Sequence, residues 1–219
     1  LAFYNAIANG GEMVKPRFLN KISNFGNDPT QIFSKSVLSP SICSKETLTK
    51  VKKMMFNVVD KKWGTAYSIK DPLLSMAGKT GTGQIDYTTD NIKYISSFVG
   101  YFPAEDPKYS CIVVIHKPNK TKGYYGAIVA APVFKTIAKK IFNDIPYEVE
   151  ISNKDIAKLD GLKVNIIPNV SGLSKLEAIK KLKKSGLKVK IIGTGIVKYQ
   201  SLKAGTQIQN QDKIILELS

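Results

Sequence analysis

Arginine is almost absent from this chain: of 33 basic residues only Arg17 is one, and the rest are lysine. The net charge of +16 would ordinarily suggest a nucleic-acid partner. The planar, bidentate groups that read phosphates and bases are missing, however, and no arginine–aromatic groove pattern replaces them. The lysines are also dispersed, with 20 basic against 10 acidic residues over 1–146 and 13 against 7 over 147–219. Nucleic acid is therefore not expected as a partner. The Lys-, Ile- and Asn-rich composition is as well explained by a compositional bias of the whole proteome. Attraction to an anionic envelope polymer or membrane surface is the other reading the charge allows.

Cysteine and histidine are equally scarce. Cys43 and Cys111 cannot build a disulfide framework, and neither has metal-ligand spacing to the lone His116, so a structural zinc site is short of ligands. Cys111 lies inside "CIVVI" and reads as a buried structural thiol. His116 ends that stretch and reads as a solvated strand end. No run approaches the ~18 apolar residues that cross a bilayer. No signal peptide opens the chain. It begins "LAFYNAIANGG", without Met and already helical in pattern, which reads as a piece of something longer.

What is present supports two domains. Residues 1–9 carry a helical pattern that Gly10-Gly11 would stop. Over 45–59, Leu48, Val51, Met55 and Val58 recur at helical spacing behind Ser44 as N-cap. "KWGTAYSIKDPLL" reads as a loop. Tyr94–Tyr101 and Tyr109–His116 read as neighbouring antiparallel strands around the turn "FPAEDPK". "AAPVFKTIAKKIF" predicts a further helix, with Pro132 in its first turn and Val133, Ile137 and Ile141 on one face. The polar stretch 147–159 reads as a linker. Beyond it, Ser174 and Glu177 form a capping box ahead of Leu176, Ile179 and Leu182, with Gly186 as the stop. "LKVKIIG", "GIVKYQ" and "KIILELS" then predict a small antiparallel sheet of three strands. The expected domains are 1–146, a linker over 147–159, and 160–219.

The chemistry concentrates in "MAGKTGTGQI", residues 76–85. A phosphate loop would need a glycine five positions before Gly78, where Leu73 stands, and a helix starting at Lys79, which Gly81 and Gly83 oppose. An extended strand fits instead. Alternation places Lys79 and Gly81 on one face and Thr80 and Thr82 on the other. Glycine lets another backbone or an acyl group lie close, and hydroxyls beside an ammonium suit a carboxylate. K-T-G joins S-x-x-K and S-D-N in the signature of β-lactamases and penicillin-binding proteins.

The flanking residues narrow this. "AIANGGEMVKPRF", "GTA" (64–66), "AGKTGTGQ", "SFVGYFPAEDPKY" and "GAIVAAPVF" run in family order, and most of 1–142 resembles the C-terminal part of a class B penicillin-binding protein of the division type. The 160–219 region, opening with "IPNVSGLSKLEAIKKL", resembles a PASTA domain. The resemblance implies an α+β fold. Its first part would be the C-terminal portion of a penicillin-binding, β-lactamase-like transpeptidase domain, an antiparallel sheet with helices. Its second would be a small α+β PASTA domain with one helix on a three-stranded sheet.

The activity implied is serine-type D,D-transpeptidation in cell-wall synthesis, without metal or organic cofactor. Peptidoglycan stem peptides and β-lactams would be the ligands, and other division proteins further partners. By the resemblance, Lys79 supplies positive charge and assists proton transfer, and the Thr80 and Thr82 hydroxyls hold a carboxylate. The Thr82 N–H would serve an oxyanion, and Gly81 would allow close substrate approach. The nucleophile is not in the sequence. Ser185-Gly-Leu-Lys188 is its one S-x-x-K, lies after K-T-G and straddles a helix stop, and S-x-N does not occur. The chain alone is therefore expected to be inactive. Its parent is expected to be membrane-anchored, with the catalytic domain on the extracytoplasmic face of the inner membrane. The alternative is a non-catalytic β-lactam sensor or wall-binding module. A β-lactamase is disfavoured by the second domain and by "VAAPVF".

Overall fold

A computed structural model describes residues 1–23, 29–85, 93–144, 166–183, 185, 187–209 and 213–219. Helix α1 (Ala2–Ala8) ends where Gly10 and Gly11 take the left-handed φ values of 72° and 100° that side chains resist. Two short antiparallel ladders follow that the sequence pattern does not announce. Met13–Val14 (β1) pairs with Val37–Ser39 (β4), and Lys21–Ser23 (β2) with Pro29–Ile32 (β3). β2 is exposed throughout, so it carries no hydrophobic alternation to recognise.

Helix α2 (Lys45–Asp60) starts as expected, with the Thr47 N–H donating to Ser44 Oγ at 3.2 Å. Leu48 and Met55 are buried, but Val59 rather than Val58 completes the buried stripe, one residue on from the expected position. The loop after it contains a single 3-10 turn, Tyr67–Ile69. Ala77–Ile85 (β5), Lys93–Phe102 (β6) and Tyr109–His116 (β7) form an antiparallel sheet in the order β5-β6-β7, which bears out both expected strands and the extended reading of the K-T-G run.

The sheet is buried on both faces at its centre. Phe98 and Phe102 meet Phe134 at ring-centroid distances of 4.8 and 5.7 Å. On the opposite face Tyr101 and Ala77 pack with Ile7, Leu48 and Met55. Phe134 belongs to α4 (Ala131–Asp144), which follows the four-residue helix α3 (Gly126–Val129). The buried face of α4 is Ala131, Phe134, Ala138 and Phe142; Val133 is 42% exposed. The expected Val133–Ile137–Ile141 stripe is thus displaced by one residue, because the aromatic ring of Phe134 is what the sheet accepts.

These elements belong to two compact units, Leu1–Thr136 and Ile137–Ser219. In the second, α5 (Lys175–Lys183) is preceded by the expected capping box. The Ser174 N–H donates to Glu177 Oε2 at 3.0 Å and the Glu177 N–H to Ser174 Oγ at 3.4 Å. Leu176, Ile179 and Leu182 are buried, as their spacing predicts. Lys188–Gly193 (β8), Val197–Gln200 (β9) and Lys213–Leu218 (β10) form a sheet in the order β8-β10-β9. It is mixed, correcting the antiparallel expectation: β10 enters between the other two, antiparallel to β9 and parallel to β8. The linker 147–159 and the Gly186 stop lie outside the described residues. No helix among the described residues is long and apolar enough to cross a membrane.

Candidate functional site

β5 is an edge strand of its sheet, so one side of the K-T-G run has no strand partner among the described residues. Its register pairs Lys79 with Val99, Thr80 with Phe98, Gly81 with Ser97 and Thr82 with Ser96. Strand alternation therefore keeps the lysine and the two threonines on opposite faces.

Lys79 lies on the face shared with α1 and α2. It borders an apolar cleft of about 410 Å³ whose walls include Phe3, Tyr4, Ile7, Leu48 and Met55. Its Nζ donates to the Thr80 carbonyl oxygen at 2.8 Å. Deeper on this face, burial pushes the Tyr101 hydroxyl up to about 12.

The two hydroxyls are each met from outside the strand. Thr80 Oγ1 is 3.2 Å from Thr65 Oγ1, in the "GTA" segment. That segment is tied to the end of α2, where the Ala66 N–H donates to the Val58 carbonyl oxygen at 3.0 Å. Thr82 Oγ1 accepts the Gly126 N–H at 3.1 Å. The residues before Gly126 are held to the same face, since Ser96 Oγ donates to the Tyr124 carbonyl oxygen and the Tyr124 ring stacks on Tyr94 at 4.1 Å. A hydrogen bond to Tyr125 pushes the Tyr124 hydroxyl up to about 12.

Gly81 is packed by the chain itself: a Cβ there would lie 2.5 Å from Ser97 Oγ. Thr65, Ser97 and Gly126 escaped the reading of single residues, because only tertiary contact brings them to this strand. The one signal for them was that "GTA", "SFVGYFPAEDPKY" and "GAIVAAPVF" are among the stretches carrying the family resemblance.

Other candidates fall away. Ser185 lies beyond the end of α5 and Lys188 opens β8, so they share no helix face. His116 is exposed at the end of β7, and both cysteines are free. Cys111 is half-buried, and burial pushes its thiol up. Among the described residues no group of His, Cys, Asp and Glu could hold a metal ion.

Comparison with known proteins bears on the family of the chain. Peptidoglycan D,D-transpeptidase FtsI of Buchnera aphidicola is 35% identical over 123 residues, covering 55% of this chain and 20% of that protein. Stage V sporulation protein D of Bacillus subtilis is 27% identical over 226 residues, covering all of this chain and 34% of its own length. Apo penicillin binding protein 3 from Mycobacterium tuberculosis superposes with a TM-score of 0.55 at 28% identity, over 64% of this chain and 33% of that one. This chain thus spans about a fifth to a third of the curated relatives it matches. Residues 1–139 match the penicillin binding protein transpeptidase domain and residues 165–219 the PASTA domain. The chain belongs to the penicillin-binding protein transpeptidase family and carries a PASTA domain.

Proposed function

We propose that this chain is the K-T-G-bearing part of a peptidoglycan D,D-transpeptidase. The observation that carries the reading is the edge strand β5, which sets an ammonium on one face and two hydroxyls on the other, in a domain of this family. In the reaction, a serine on the remainder of the protein attacks the carbonyl of the penultimate D-alanine of a stem peptide. The terminal D-alanine leaves as the amine, and an ester to the serine remains. An amine of a second stem peptide attacks that ester, forms the cross-link and returns the serine hydroxyl. A β-lactam acylates the same serine through its strained amide.

Within this chain, Lys79 supplies positive charge and assists proton transfer. Thr80 and Thr82 bind the substrate carboxylate with their hydroxyls. The Thr82 N–H donates to the oxyanion, and Gly81, whose missing Cβ leaves room for the Ser97 hydroxyl, lets the substrate come close along the strand edge. We place the transpeptidase part at 1–146, the linker at 147–159 and the PASTA domain at 160–219. The whole protein would work in the bacterial cell envelope, anchored to the inner membrane with this domain outside the cytoplasm, beside other division proteins.

Fluorescent-penicillin labelling of this chain and of the longer protein, side by side on a denaturing gel, tests the reading. A labelled long form with an unlabelled chain is expected. If neither takes label, the transpeptidase reading gives way to a wall-binding module that does not acylate.

A further inference from the structure

We propose that Gly126 is a positioning residue that anchors the Thr82 hydroxyl where it can donate its proton to a substrate carboxylate. The inference rests on reading β5 as the substrate strand, and it assigns a role to a residue outside the K-T-G run.

Gly126 is the first residue of α3, where backbone N–H groups have no acceptor within the helix. Its N-cap Tyr125 gives no side-chain cap. Thr82, on a neighbouring strand, supplies that acceptor through Oγ1 at 3.1 Å. The polarity of this bond is not a choice, because an amide N–H can only donate. A threonine hydroxyl has one proton and two lone pairs. With one lone pair taken by this amide, the oxygen is anchored and keeps its proton and one lone pair for a group on the exposed side of the strand. A carboxylate, which can only accept, uses that proton while the amide bond stays in place.

Glycine is required for it. A Cβ at position 126 would lie 2.3 Å from the Ser97 carbonyl oxygen and 2.5 Å from that of Gly81. Both neighbours are backbone in the sheet and cannot swing aside, so any side chain lifts α3 off β5 and breaks the bond to Thr82. The preceding segment, tied through Ser96 and the Tyr94–Tyr124 stack, aims the Gly126 N–H at that spot.

Two measurements test this. In the 219-residue chain, Thr82→Val should speed exchange of the Gly126 amide about tenfold, the factor one ordinary hydrogen bond carries. Thr82→Ser should restore protection. Gly126 exchange unchanged by Thr82→Val would overturn the proposal. In the longer protein, acylation is compared for benzylpenicillin and its methyl ester, in which the carboxylate is blocked. Gly126→Ala should slow the free acid about ten- to a hundredfold more than it slows the ester, the range that loss of one to two hydrogen bonds to a charged group carries. The Gly126→Ala/Thr82→Val pair should be no slower than the slower single variant. Equal losses for acid and ester would mean that Gly126 only holds the fold, and would also overturn it. A long form that neither probe acylates would sink the transpeptidase reading instead, and the amide-exchange result would still decide whether Gly126 holds Thr82.

Discussion

At Lys79 the charge is placed by strand alternation alone, on the face opposite the two threonines. Lys79→Ala in the longer protein should slow penicillin acylation by about 10²–10⁴, the range for loss of an acid–base group. Since the side chain is exposed, the thermal midpoint should hardly move. Unchanged labelling would remove Lys79 from the mechanism. Glu177 offers a pH test. Hydrogen bonds from the Ser174 hydroxyl and N–H hold its carboxyl below the usual range. A lowered folded pKa means that the stabilisation is present above the ordinary glutamate range and is lost as pH falls through the folded value. The protection factors of the α5 amides, taken relative to intrinsic exchange at each pH, should therefore fall on acidification, and Glu177→Gln should flatten that dependence. An identical pH profile in the variant would show that the carboxylate adds nothing to the cap.

Among the elements, α4 shows where packing outweighs pattern. Phe134 is fully buried against Phe98 and Phe102, and Phe134→Ala should cost about 3–5 kcal/mol. Val133→Ala, on the exposed side, should stay within about 0.5 kcal/mol. Denaturant unfolding followed by Trp63 fluorescence reads both, since the only tryptophan lies in the first unit. Comparable losses would restore the Val133 stripe. The sequence pattern identified α2, both long strands and the extended K-T-G run, because each has local alternation or a cap. It missed the β1–β4 and β2–β3 ladders, which are short and carry little or no burial to imprint a period. It also missed the mixed sheet of the second unit, since nothing within a strand states which neighbour it will choose.

At the scale of the whole molecule, the candidate site among the described residues lies in the first unit. Among its described residues the second unit contributes a capped helix, a mixed sheet and a Gln200 side chain that binds the Val170 N–H at 2.9 Å, but no ligand cluster. Deleting 160–219 from the longer protein should leave penicillin acylation largely intact, since its described residues hold no candidate catalytic group. Loss of acylation in a truncation that still folds would mean the PASTA domain shapes the site. How much of the site was readable follows the same division: Lys79, Thr80, Gly81 and Thr82 stand together in the chain, while Thr65 and Gly126 reach them across 15 and 44 residues. The order β8-β10-β9 also bears on how the protein is made. β10 is the last of the three strands to be synthesised, yet it is the middle of the sheet. Until Lys213–Leu218 has left the ribosome, β8 and β9 have no ladder to join, so the unit forms only after translation has passed it. A ribosome that stalls or a protease that cuts just before β10 removes the keystone of the sheet and leaves two unpaired strands.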